Sequence, residues 1–116
     1  MKKIGFIGAY DKTDLIIYIA KILTTLKKKV LVIDATTKQK ARYVVPVINP
    51  TKMYVTEYEE IDIAVGFPNI EDIKRYLGYS EEQDLDYDIV LIDTDSIEGF
   101  SIFKLEESFK NYFVTS

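Results

Sequence analysis

The sequence predicts a single α/β domain, layered α/β/α around a mostly parallel central sheet. Three observations carry that reading. Residues 30–33 (VLVI) and 89–92 (IVLI) are continuous apolar runs, the pattern of parallel strands covered on both faces, and they end at Asp34 and Asp93. Residues 3–26 read as a strand, a Gly-containing loop, a Lys-Thr pair and a long helix. The element order, β-α-β, then a small extended insert around residues 43–66, then α-β-α-β, alternates as such a sheet requires.

Taken in order, residues 4–7 form the first strand and residues 8–11 a tight turn. A helix follows from Thr13 to about Lys27, with Leu15, Ile16, Ile19, Ala20, Ile22, Leu23 and Leu26 as its apolar stripe. Ile17 and Tyr18 widen the stripe, so burial on more than one side is expected. Lys27, Lys28 and Lys29 close the helix as a solvated cationic cap. The strand at 30–33 then completes a βαβ unit. In the next stretch Lys38, Lys40 and Arg42 read as an exposed face, and Tyr43, Val44, Val45, Val47 and Ile48 look strand-like around Pro46. Residues 49–52 signal a turn. Two short alternating runs, 53–57 and 61–65, suggest a hairpin with one wet face, turning at Glu59 and Glu60. Asn69 caps a second helix whose stripe is Ile70, Ile73, Tyr76 and Leu77 and which stops at Gly78. Residues 79–86 read as an acidic surface loop, 94–99 as a loop after the second apolar strand, and 101–110 as a third helix with Ile102, Phe103, Leu105 and Phe109 inward. Tyr112 to Val114 opens a last strand.

Composition bounds the chemistry. The 116 residues suffice for one core and not for two. At 47% hydrophobic and 29% charged the chain has an ordinary globular balance, and its net charge of −4 argues against nucleic-acid binding through the overall field. With no cysteine and no histidine, disulfides, thiol catalysis, Cys/His zinc sites and imidazole acid/base chemistry are excluded. The apolar run behind Met1-Lys2-Lys3 is too short for a signal peptide, and no apolar run reaches the length of a transmembrane segment. A cytoplasmic setting is the default expectation.

The motif that organises the rest is Gly8-Ala9-Tyr10-Asp11-Lys12-Thr13. Backbone amides of a loop and the first helical turn can surround a phosphate, helped by the helix dipole and a lysine. The standard spacing puts four residues between the first Gly and a Gly-Lys pair. Here only Ala9 and Tyr10 intervene, and Asp11 stands where the second Gly belongs, setting a carboxylate where a phosphate oxygen would sit. In a parallel sheet Gly8, Asp34 and Asp93 lie together at the carboxyl ends of their strands, where ligands bind.

Together these residues resemble the ParA/MinD family of deviant Walker ATPases, a P-loop NTPase-like fold: GAYDKTDLIIYIAKIL at its loop and first helix, KKKVLVIDAT at its second strand, YDIVLIDTDS at its third, YFVTS at the next. The resemblance implies cofactor binding by Gly8, Asp11, Lys12 and Thr13, magnesium held by Thr13 and Asp93, and Asp34 as a catalytic carboxylate near the γ-phosphate. It implies no cofactor, or ATP and Mg²⁺ if the site works. The family's additional lysine, which reaches across a nucleotide-bound dimer, has no counterpart, since Ala9 and Tyr10 stand in its place. The family fold also runs on beyond residue 116, so the chain is expected to be the N-terminal part of a longer protein, or else a homodimer covers the exposed sheet edge.

Two functions follow from the resemblance. The first is a non-hydrolysing docking or positioning module for protein partners in a pilus, secretion, division or partition assembly. The alternative is an active or weakly active ATPase. A receiver-like signalling domain would need an acidic pair at the end of the first strand, where Gly8 and Ala9 stand.

Overall fold

In a computed structural model the structure describes residues 1–39, 41–44 and 52–114, with the side chains of residues 43 and 44 left aside. Among these residues six strands, β1 (Lys2–Ile7), β2 (Val30–Asp34), β3 (Tyr54–Tyr58), β4 (Ile61–Val65), β5 (Ile89–Thr94) and β6 (Lys110–Phe113), form one sheet in the order β3-β4-β2-β5-β1-β6. All pairings are parallel except β3 with β4. The two continuous apolar runs are β2 and β5, neighbours at the centre, and their alternation splits the core in two. Val30, Val32 and Leu91 pack with Ile16, Ile17 and Ala20 of helix α1 (Thr13–Thr25). Leu31, Ile33, Val90 and Ile92 pack with Ile73 of α3 (Ile70–Leu77) and with Phe103 and Leu105 beyond α4 (Ile97–Ile102). Helical segments thus cover both faces, an arrangement compatible with a three-layer α/β/α fold.

The caps of α3 are as predicted, whereas Tyr76 of its expected apolar stripe is exposed. Asn69 accepts a hydrogen bond from the Asp72 amide, and Gly78 takes the left-handed conformation (φ 82°) that ends the helix. Elsewhere the sequence reading needs correction. Helix α1 is buried along one stripe only: Leu15, Tyr18, Ile22 and Leu26 are exposed, because the sheet offers it a single face. It ends at Thr25, so the three lysines follow it instead of sitting in its last turn. Tyr43 and Val44, expected to be strand-like, close the short helix α2 (Ala41–Val44), and the strand-like residues Val45, Val47 and Ile48 lie outside the described residues, as does Lys40. The expected insert hairpin exists but is no appendage: β4 pairs parallel with β2, and Ile61, Ile63, Ala64 and Val65 are all buried. Ala64, counted on the wet face, packs into the second core cluster.

The third helix also moves. It begins at Ile97, where Ser96 accepts from the Gly99 amide, and it gives way at Lys104 (φ 53°) to a 3-10 turn, Leu105–Glu107. Gly99, read as a loop residue, lies inside α4, where the helix passes so close to β5 that a Cβ would strike Thr94. Phe109 and Ile102, expected inward, are exposed. The final strand is β6, paired with β1 alone among the described residues.

Candidate functional site

The carboxyl ends of β1, β2 and β5 converge as expected. The register sets Asp34 beside Asp93 and Ile7 beside Thr94. From β1 the chain leaves to the α1 face, and from β5 to the opposite face, so the two neighbours bound a crevice at a topological switch point. The residues that the loop motif and the strand ends singled out are there: Asp11, Lys12, Asp34 and Asp93, with Gly8 and Thr13.

What these side chains do locally is specific. Lys12 is 4% exposed, and its Nζ is turned inward, donating to the Gly8 carbonyl at 2.8 Å. The same nitrogen lies 2.6 Å from Asp93 Oδ1, a contact of charge without the alignment of a good hydrogen bond. Asp93 is itself 3% exposed, and burial pushes its carboxyl up to about 6 from 3.8, with the Lys12 ammonium opposing and Asp34 and Asp11 reinforcing the shift. The ion pair therefore compensates only part of the desolvation of its acid. One strand over, Asp34 is fully engaged in local structure: its carboxylate accepts from the Thr36 amide (3.0 Å), the Thr36 hydroxyl (2.6 Å) and the Ala41 amide (2.9 Å). The last of these bonds caps α2.

Asp11 precedes α1, and its Oδ1 accepts the Thr13 amide at 3.1 Å, so a carboxylate of the chain already meets the positive end of the helix. Gly8 is needed for a different neighbour: a Cβ there would strike the carbonyl of Val114 at the end of β6. A residue the sequence reading left in a loop, Asp95, accepts from the Thr37 amide and hydroxyl and ties the β2 and β5 loops together. Its position directly after Asp93-Thr94 was the available signal. Beside the Gly8–Thr13 loop a cavity of about 140 Å³ is lined by Asp11, Thr13, Thr36, Lys38, Asp93 and Asp95, among others. Three carboxylates face one lysine across it. Thr13 and Asp93 share this cavity, whereas Lys12 lies beneath.

A nucleotide and its magnesium ion do not fit this arrangement. The volume falls below the roughly 300–1,000 Å³ of ordinary small-molecule sites. The lysine that would meet a phosphate is paired, the helix N-terminus is met by Asp11, and the cavity's charge repels a polyphosphate. Among the described residues no three acidic groups are placed to hold a metal ion. In comparisons with protein-family models, curated proteins and solved structures, the chain gives no match.

Proposed function

We propose that the chain is a docking or positioning module on a ParA/MinD-like, P-loop-type scaffold whose nucleotide site no longer operates. The observation that carries this reading is the internal satisfaction of Lys12: it is buried, 2.6 Å from Asp93 and 2.8 Å from the Gly8 carbonyl. Asp11 at the first amide of α1 supports it further, since it occupies the position an anion would take. The scaffold half of the reading rests on the strand, Gly8 loop, Lys12-Thr13 and helix unit, with the Asp93 strand as hydrogen-bonded neighbour of β1. The docking half rests on exposed apolar side chains: Leu15, Tyr18, Ile22 and Leu26 on α1, and Phe109, Tyr112 and Phe113 around β6. The partners are proteins, of an assembly of the kind the resemblance implies.

Calorimetric titration with ATP and Mg²⁺ tests it. The expected result is no heat of binding. Micromolar binding would overturn the proposal in favour of an ATPase, and in that case Lys12→Ala should abolish both binding and phosphate release.

A further inference from the structure

The two edges of the sheet are built differently. On the β3 side the apolar Tyr54 is buried, Glu57 is exposed, and the turn carries Glu59 and Glu60 at φ 51° and 70°, with Glu59 paired to Lys21 at 2.5 Å. Charges and a tight left-handed turn are ordinary ways of keeping an edge from pairing with another chain. The β6 edge has less of this protection, a short strand with one lysine. Around a four-residue strand, Phe109, Tyr112 and Phe113 are 65, 47 and 72% exposed, and Lys110 is the strand's only charged side chain. We infer that β6 is a self-association edge, pairing antiparallel with β6 of a second copy of this chain across a two-fold axis.

Shape supports a second copy as the occupant. Phe113 stands between two apolar cavities, one on each face of the sheet. The first, about 560 Å³, is floored by Ile4, Phe6 and Tyr112 and walled by Leu15, Ile19 and Leu23. The second, about 340 Å³, lies among Ile7, Ile97 and Phe100. A two-fold interface must be self-complementary, with knob and hollow on the same patch, and this patch carries both. Strand addition uses such pockets for alternate side chains while the main chains pair.

Register and area agree. Centred on Tyr112, an antiparallel pair sets Lys110 opposite Val114 and Asn111 opposite Phe113, so no like charges face each other. The three exposed aromatics leave about 400 Å² uncovered, half of the roughly 800 Å² per partner of a standard interface. Leu15 at 46% and Ile97 at 87% exposure, the cavity walls and the strand's own outer edge lie beside them to supply the remainder.

Sedimentation velocity of the 116-residue chain over a concentration series tests this. The wild type is expected to dimerise. Phe113→Lys, at an exposed site that leaves the far-ultraviolet spectrum unchanged, should weaken the dimer about tenfold or more. Thr56→Lys on β3 should leave it intact. Because the chain has no cysteine, a single Tyr112→Cys gives a second readout: it should form a disulfide-linked dimer under mild oxidation, and Thr56→Cys should not. A wild type that stays monomeric throughout, a dimer indifferent to a folded Phe113→Lys, or a Tyr112→Cys that fails to cross-link would overturn the inference. The inference does not depend on the nucleotide site: a monomer that ignores ATP would remove the dimer alone, and a dimer that binds ATP would remove only the reading of the site.

Discussion

The crevice at the strand ends and the open flank of β6 lie at adjoining corners of the same sheet, and they handle their side chains in opposite ways. In the crevice most charged groups are engaged internally: Lys12 by Asp93 and the Gly8 carbonyl, Asp34 by Thr36 and Ala41, Asp95 by Thr37. At the flank, large apolar groups are left uncovered. Recognition belongs where interactions remain unmade. A sequence motif points to the first corner, but the unmet surface is at the second.

The largest expected effect breaks the crevice. Lys12→Met leaves the Asp93 carboxylate buried without its counter-charge, and should cost about 3–5 kcal/mol in urea unfolding at neutral pH. Replacing both partners, Lys12→Met with Asp93→Leu, should be far milder, neutral or even stabilising, because neither charge then has to be desolvated. If the double variant is as damaged as the single one, Lys12 and Asp93 do more than satisfy each other.

A pH series sharpens the same point. Asp93 has its folded value raised from 3.8 to about 6, chiefly by burial. The folded state therefore holds the proton more tightly than the unfolded one, and the linked stability is fully present below 3.8 and lost as pH rises through about 6. Relative to the Lys12→Met/Asp93→Leu variant, the wild type should gain stability as pH falls from 7 to 4, by no more than about 3 kcal/mol. A flat difference would mean that Asp93 ionises as a solvated acid does.

How far the sequence disclosed this divides along similar lines. Features set by neighbours in the chain were legible: the continuous runs that became β2 and β5, the Asn69 and Gly78 caps of α3, and the meeting of Gly8, Asp34 and Asp93 at one end of the sheet. Features set by distant partners were not. Tyr43 and Val44 look like strand formers, yet Asp34 accepts the Ala41 amide and starts a helical turn there. Gly99 reads as a breaker until Thr94 is seen against it. Lys12, in a stretch that reads like a phosphate-binding loop, gave no hint that it would be buried against a carboxylate eighty-one positions on, because spacing says nothing about burial.

A smaller effect is expected at the helix start. Asp11→Ala removes the acceptor of the Thr13 amide and a charge at the positive end of α1, and should lower stability by about 1 kcal/mol. Asp11→Asn keeps the acceptor and should recover most of that, the remaining deficit shrinking as salt is added. An Asp11→Ala protein as stable as wild type would show that the helix N-terminus needs no carboxylate, and would weaken the case that this side chain stands in for an anion.

The smallest effect on the protomer is expected at the flank. Phe113 is 72% exposed, so Phe113→Lys removes little packing from a single copy and should change its stability by no more than about 0.5 kcal/mol. Association nonetheless couples to melting, because a partner that binds only the folded state raises the transition temperature with concentration. Wild type and Phe113→Lys should therefore melt together when dilute and diverge as protein is concentrated, with only the wild-type midpoint climbing. The buried Lys12 and Asp93 variants should show the reverse pattern, shifted at every concentration by the same amount. Parallel curves for Phe113→Lys would place that side chain in the protomer's own stability, and the contrast between the closed crevice and the open flank would collapse.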